Sequence, residues 1–195
     1  MNNALSKSAA SETGSRAFEA HIFAQQAFVL IDLNKSSDAV DLLDQARALG
    51  ASSSPPVLQA WLAAAHGEAL AANSQHVKAL LAFDDASRLL PPDTSMADAP
   101  YVALDNVHLD RWRGHGLSRV GAKEAIPVLS STLEILDPSF TRAETALRVD
   151  LTLALATANR HEEAHQQAAI AAQLAIEIGS MRQKSRIQTL SSHTP

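Results

Sequence analysis

With 195 residues and a mass of 20.7 kDa, the chain is long enough for one full core or one stack of repeats. Hydrophobic residues make up 46% of it but aromatics only 4%, and Ala and Leu supply most of the apolar content, which predicts an all-α fold. A net charge of −5 leaves no basic face for direct nucleic-acid binding; the local basic excess is Arg182, Lys184 and Arg186.

The absence of cysteine excludes a disulfide framework and thiolate chemistry, and fits a cytoplasmic protein. The N-terminal residues lack the apolar core of a signal peptide. No segment approaches the roughly 18 uninterrupted apolar residues of a membrane span, so no membrane partner is expected.

Residues 1–14 are mostly Ser, Ala and Asn without periodicity, and a disordered tail is expected there. A single helical domain is expected over 15–190. The first helix is placed at 15–33, where Ala20, Phe23, Ala24, Ala27, Phe28, Leu30 and Ile31 recur at three- and four-residue spacing. A turn at 34–37 follows, with Ser37 as the cap of a second helix that Gly50 ends. After a Ser-Pro linker, residues 61–92 read as two helices joined by Asn73-Ser74-Gln75. Gly67, Ala79 and Ala86 are small residues where the helices meet, Phe83 fills the space beside them, and Pro91-Pro92 stops the second helix.

A long helix is expected from Asp98 to Val120, a turn at Gly121, and a helix over 123–136 closed by Asp137-Pro138. Pro127 falls in its first turn, where proline is tolerated. Helices over 141–157 and from His161 to Gly179 make the fourth pair. A last helix at 181–190 precedes a frayed tail. Landmark alanines early in each second helix, Ala39, Ala79, Ala125 and Ala164, set the period. Four residues on come Leu43, Phe83, Leu129 and Ala168, then Ala46, Ala86, Thr132 and Ala171.

These positions resemble the tetratricopeptide repeat, which carries Gly in its first helix, then A-x3-F and Pro in its second. Residues 57–92 match best, with Gly67, Ala79-x3-Phe83, Ala86 and Pro91. Residues 101–138 keep Gly114 and Gly121, with the turn one residue short and Pro138 one residue late. Residues 17–50 place Ala27 at the glycine position, and 141–179 place Thr152 there without the terminal proline. Trp and Tyr are missing from their usual places, and the period exceeds the usual one. The resemblance implies a right-handed α-solenoid of four antiparallel helix pairs (about 15–50, 55–92, 97–138 and 139–179) plus a short C-terminal helix. Residues 101–129 and 141–164 also resemble the C-terminal repeat region of actinobacterial helix-turn-helix regulators. In those a DNA-binding domain precedes the repeats; here residues 1–195 are expected to hold only tail and repeats. That resemblance implies the sensing domain of a transcriptional regulator, excised or stand-alone.

Two patterns invite chemistry. His161-Glu162-Glu163-Ala164-His165 spells H-E-x-x-H, two imidazoles one helical turn apart with a carboxylate between. The extended metalloprotease pattern needs Gly and His where Ala168 and Ala171 stand, and Ala164 is a packing position, so the stretch is expected to be a solvated helix start. No metal or other cofactor is expected. Without Cys or G-x-S-x-G, and with Gly114-His115-Gly116 inside a helix, neither nucleophilic catalysis nor a phosphate loop is expected, and the chain is not read as an enzyme.

Second, Asp105, His108, Arg111, Trp112 and His115 lie along one helix stripe. In tetratricopeptide arrays the first helix of each pair lines the concave groove. By that register the groove receives His21, Phe28 and Asp32 from the first pair, Trp61 and Glu68 from the second, His108, Arg111, His115 and Arg119 from the third, and Val149 and Leu153 from the fourth. A polar, partly cationic middle suits a carboxylate such as a peptide C-terminus. The alternative is that these side chains face water or pair with Asp105, Asp110 and Glu68. The apolar ends, Phe23, Phe28 and Ile31 at one and Val149 and Leu153 at the other, need covering by the tail, the last helix, another repeat or a second copy, so a homodimer is also expected to be open to the chain. The function expected is non-catalytic binding of a protein or peptide in the groove. The alternatives are a homo-oligomeric scaffold and a small-molecule or metal sensor using the His-rich stripe.

Overall fold

The computed structural model describes the backbone of residues 2–52, 54–92 and 102–191, and the side chains of 16–52, 54–92 and 102–190. Among these residues there are nine helices and no strand: α1 (Asn2–Asp32), α2 (Ser36–Gly50), α3 (Pro56–Ala72), α4 (His76–Leu89), α5 (Asn106–Arg119), α6 (Ala125–Ile135), α7 (Thr141–Thr157), α8 (His161–Glu177) and α9 (Met181–Ser191). The all-α expectation holds. The chain divides into two compact units, residues 1–109 and 110–195, with the division inside α5.

One turn recurs five times. After α1, α3, α5, α7 and α8 the chain passes through a left-handed residue: Asn34, Ser74, Gly121, Asn159 and Gly179, with φ of 59, 57, 68, 59 and 65°. The next N–H then returns to a carbonyl five residues back: Lys35 to Leu30 (2.8 Å), Gln75 to Leu70 (2.8 Å), Ala122 to Leu117 (3.0 Å), Arg160 to Leu155 (2.9 Å) and Ser180 to Ala175 (2.9 Å). This closure satisfies helix carbonyls that would otherwise lack partners, and Gly or Asn tolerates the conformation best. Ser74 is the position with the least intrinsic tolerance for it.

The next helix starts with an N–H four residues on from the donor's carbonyl in four of these turns: Ala39 to Lys35, Ala79 to Gln75, Ala164 to Arg160 and Lys184 to Ser180. At the start of α6 the bonds are one residue shorter, Ala125 to Ala122 (3.0 Å) and Ile126 to Lys123 (3.2 Å). The residue missing from this connection is thus absorbed by a tighter first turn.

Packing inside the pairs follows the small-residue positions. Ala39, Ala79, Ala125 and Ala164 are all buried, as are Leu43, Phe83 and Leu129; Ala168 is half-buried. A Cβ on Gly67 would sit 3.0 Å from the Phe83 ring, and one on Gly114 would sit 2.4 Å from Leu129 Cδ2. Glycine is required at both for close approach, since neither has a positive φ. The matching positions in the other pairs are Ala27 with Leu43 and Thr152 with Ala168.

In the first unit, α3 is buried on nearly every side, from Val57 through Ala71. Its alanines let α1, α2 and α4 come close at little loss of side-chain entropy. Gly50 is buried where α2 ends, and a Cβ there would meet Leu62 Cδ1 and Ser54 Oγ, each at 2.9 Å. Its role is close approach, because its φ is not left-handed and α2 closes through Ala51 in right-handed geometry. In the second unit Val149 of α7, Ala171 and Ala175 of α8 and Ile187 of α9 form a common core.

Several boundaries differ from those the sequence suggests. The backbone is helical from Asn2, not from Ser15. Extending a nucleated helix through Ala-, Leu- and Lys-containing sequence is far easier than starting one. Ser37 caps nothing: α2 starts at Ser36 after Lys35 and has no side-chain cap. The helix expected from Asp98 begins at Asn106, and the part of that expectation on 98–101 lies outside the described residues. Asp105 sets the true start, its Oδ1 accepting from His108 N at 2.7 Å. Of the frayed tail expected at 191–195, Ser191 is instead the last residue of α9, and 192–195 lie outside the described residues.

Candidate functional site

The first unit carries an aromatic patch. His21 and Phe28 of α1 stand seven residues apart on one face, and Trp61 of α3 meets both edge-on. The ring centroids are 5.1 Å apart for His21–Trp61 and 5.9 Å for Phe28–Trp61, at 79° and 76°. Edge-to-face geometry puts the positive rim of one ring on the negative face of another. All three side chains are half-buried, so each keeps surface for a partner. Burial lowers the His21 pKa, and Gln25 Nε2 donates to His21 Nε2 at 3.0 Å, which needs that nitrogen unprotonated. The imidazole is therefore neutral near pH 7. Glu68, two turns beyond Trp61 on α3, is half-buried as well.

A polar network ties α2 to α3 and α4 on another side of this unit. Arg47 Nη2 donates to Asp85 Oδ2 at 2.7 Å, and Arg88 pairs with the other oxygen of Asp85. Arg47 Nη1 lies 3.2 Å from His66 Nδ1 and donates to it. His66 Nε2 lies 3.3 Å from Asp44 Oδ1 but is not aligned for a hydrogen bond. Burial pushes the His66 pKa down; Asp44 opposes this, and Arg47 and Lys78 add to it. His66 is therefore a neutral acceptor for Arg47. Between α2 and α3 a cavity of about 80 Å³ is lined by Arg47, Gly50, Gln59, Leu62 and Leu89.

In the second unit a buried carboxylate holds three helices together. Asp150 of α7 is 3% exposed. Its Oδ2 accepts from His115 Nδ1 of α5 at 3.0 Å, and its Oδ1 accepts from Arg186 Nη2 of α9. Burial alone would raise the Asp150 pKa, but the charges and hydrogen bonds of His115 and Arg186 outweigh it and hold the carboxyl below its usual range. Buried hydroxyls nearby are satisfied within their own helices: Thr145 donates to Thr141 O at 2.7 Å and Thr152 to Arg148 O at 2.8 Å. A cleft of about 270 Å³ lies between α8 and α9, lined by Ala172, Ile176, Lys184, Ile187 and Gln188.

The residues singled out from sequence do not gather at one place. His21, Phe28 and Trp61, assigned to one groove by register, do come together. His108 and His115 are engaged by carboxylates: His108 Nδ1 lies 2.8 Å from Asp105 Oδ1, within the cap of α5, and His115 serves Asp150. Arg111 is half-buried and Arg119 exposed, both on the part of α5 in the second unit. Of the positions suggested for self-association, Ile31 and Val149 are buried by the chain itself, Val149 under Ile187 of α9, so neither offers a surface. Phe23, Phe28 and Leu153 are half-buried. His161 and His165 are exposed at the start of α8, Glu163 is held by Arg160 through bonds of 2.7 and 2.6 Å, and Ala164 faces the core. No cluster of three His, Cys, Asp or Glu suited to a metal occurs among the described residues. No described helix is long and apolar enough to cross a membrane.

Asp150 and Arg186 were not singled out from sequence as a pair. The available signal was one Asp inside the apolar run Val149–Leu155, an arrangement that normally demands a buried partner. Comparison with family models, with curated proteins and with solved structures finds no match to this chain.

Proposed function

We propose that the chain is a non-catalytic helical-repeat module that binds a protein or peptide segment through the aromatic patch of its first unit. The observation that carries this is the mutual contact of His21, Phe28 and Trp61 at half-buried positions that repeat register assigned to one surface. Half-exposed Trp flanked by other rings is the side-chain type that most often dominates a protein interface. The unit that carries the patch holds six Lys and Arg against twelve Asp and Glu, whereas the second holds ten against nine. A segment with basic side chains therefore suits this patch better than a free carboxylate does. The cationic stripe expected to take a carboxylate is partly engaged already, through Asp105 and Asp150.

The architecture proposed is a tetratricopeptide-like right-handed solenoid of four antiparallel pairs plus the final helix. Support comes from the left-handed closure shared by the turn inside each pair and from the matched Gly67–Phe83 and Gly114–Leu129 approaches. A role as the sensing part of a transcriptional regulator rests on the likeness of residues 101–129 and 141–164 alone.

The test is selection of a displayed random-peptide library on the purified chain, followed by titration of the enriched peptides. Trp61→Ala should weaken their binding by roughly a hundredfold, or about 2.7 kcal/mol. Peptides enriched for Lys and Arg are expected. Enriched peptides that bind Trp61→Ala unchanged would refute the site.

A further inference from the structure

Side chains at helical spacing build the cleft between α8 and α9 in the second unit. Ala172 and Ile176 stand one turn apart on α8, and Lys184, Ile187 and Gln188 share one face of α9. Ala172, Ile176 and Ile187 make the walls apolar, and Ala172 offers only a methyl to the space of about 270 Å³. Ile176 is 65% exposed, whereas Ala171 and Ala175 beside it are buried in the core under α9. An apolar cavity of about 150 Å³ takes up benzene, with its six non-hydrogen atoms. On that scale this cleft holds a molecule of about ten.

Charge narrows which molecule of that size fits. α9 carries Arg182, Lys184 and Arg186 and no acidic residue. Arg186 is held by Asp150, and Arg182 is exposed. Lys184 lines the cleft and is half-buried, and its ammonium forms no hydrogen bond or ion pair with any described residue. The last residue of α8, Glu177, is exposed and accepts from Gln173 Nε2 at 3.2 Å. A cation on an apolar wall complements a molecule with an apolar body and one anionic end. Gln188, one turn beyond Lys184, adds an amide donor on the same side. One ammonium and one amide match the two oxygens of a carboxylate.

We propose that this cleft binds a small amphipathic carboxylate, a linear fatty acid of about eight carbons, with its chain on Ala172, Ile176 and Ile187 and its carboxylate at Lys184 and Gln188. The ligand is small and the cleft open to solvent, so the dissociation constant is about 0.1–1 mM. This site belongs to the second unit and does not rest on the aromatic patch of the first.

Titration of the full isotope-labelled chain with sodium octanoate, read from its amide chemical shifts, tests the proposal. Saturable shifts are expected at Ala172, Ile176, Lys184, Ile187 and Gln188, and none at His21, Phe28 and Trp61. Octylammonium, with the same chain and the opposite charge, should not bind. Lys184→Gln should weaken octanoate binding about tenfold. Ile176→Glu, at an open position, should abolish it, and both variants should keep the thermal melt of the wild type. Shifts that do not saturate by about 10 mM, equal binding of octylammonium, or unchanged affinity in Lys184→Gln would each overturn the proposal. Cleft amides that respond to the library-selected peptides and not to octanoate would assign the cleft to a peptide, and would overturn it as well.

Discussion

The two units pack similar helices by different means. The first relies on volume: Phe83 seats on Gly67, Gly50 admits Leu62, and α3 is sheathed in alanine contacts. The second adds buried polar groups, with Thr132, Thr145, Thr152 and Ser118 bonded within their helices and Asp150 tying α5, α7 and α9. Apolar volume is unforgiving of size but indifferent to pH. A buried carboxylate is the reverse, since its stabilising effect depends on both partners being present and charged. Both units thus share volume-limited contacts, Gly114 against Leu129 included, and differ in the buried titratable group each adds, His66 in the first and Asp150 in the second.

The largest expected effect is on the volume side. Phe83→Ala should cost about 3–5 kcal/mol, read from urea unfolding, because the ring is fully buried and leaves a cavity beside Gly67. Asp150→Ala comes next, at about 3 kcal/mol, because it strands the partners His115 and Arg186. Releasing α9 should also speed tryptic cleavage after Arg182, Lys184 and Arg186. Equal protection of α9 in wild type and variant would show that Val149 and Ile187 alone dock it.

Glycine substitutions sharpen the comparison further. Gly114→Ala should cost about 1–3 kcal/mol, and Gly67→Ala less, since the new methyl meets Leu129 at 2.4 Å but Phe83 at 3.0 Å. Adding Leu129→Ala should recover part of the loss in the first case. A larger loss at Gly67 than at Gly114 would mean that the Phe83 ring cannot shift and Leu129 can.

The smallest effects concern pH, and they share a sign but differ in window. Folded His66 stays neutral below its ordinary pKa, so the unfolded chain takes up the proton first and stability falls as pH drops from about 6.5. His66→Gln should flatten the unfolding midpoint between about pH 7 and 5. Folded Asp150 also holds off its proton, so its contribution is complete above about pH 4 and is lost as pH falls further. Asp150→Asn should remove that acid limb and leave the His66 limb in place.

Much of the fold was legible because its determinants are local. The apolar period of residues 141–157 gave α7 to the residue, and Gly121 and Gly179 marked turns that need a left-handed backbone. The register of small residues also brought His21, Phe28 and Trp61 to one surface, since helix faces follow from residue spacing once the repeat is aligned. What escaped depends on which face meets which neighbour. Phe23 and Ile31 share the apolar character of Ile22 and Val29, yet packing against α2 and α3 turns Ile31 in and leaves the other pair out. The cap at Asp105 was hidden because Pro100 also suits the first turn of a helix begun at Asp98, so the apolar pattern ran past Asp105 unmarked. The His115–Asp150–Arg186 tie joins residues far apart in sequence, and neither spacing nor composition links them.

The central claim, a binding patch centred on Trp61, is tested most directly by fluorescence titration. The chain has two tryptophans, so Trp112→Phe leaves Trp61 as the sole reporter. Peptides selected on the wild-type chain should shift and saturate that emission, with matching loss of binding when His21 or Phe28 is replaced by Ala. Selected peptides that bind without perturbing Trp61 emission, and with equal affinity in the His21→Ala and Phe28→Ala variants, would contradict it.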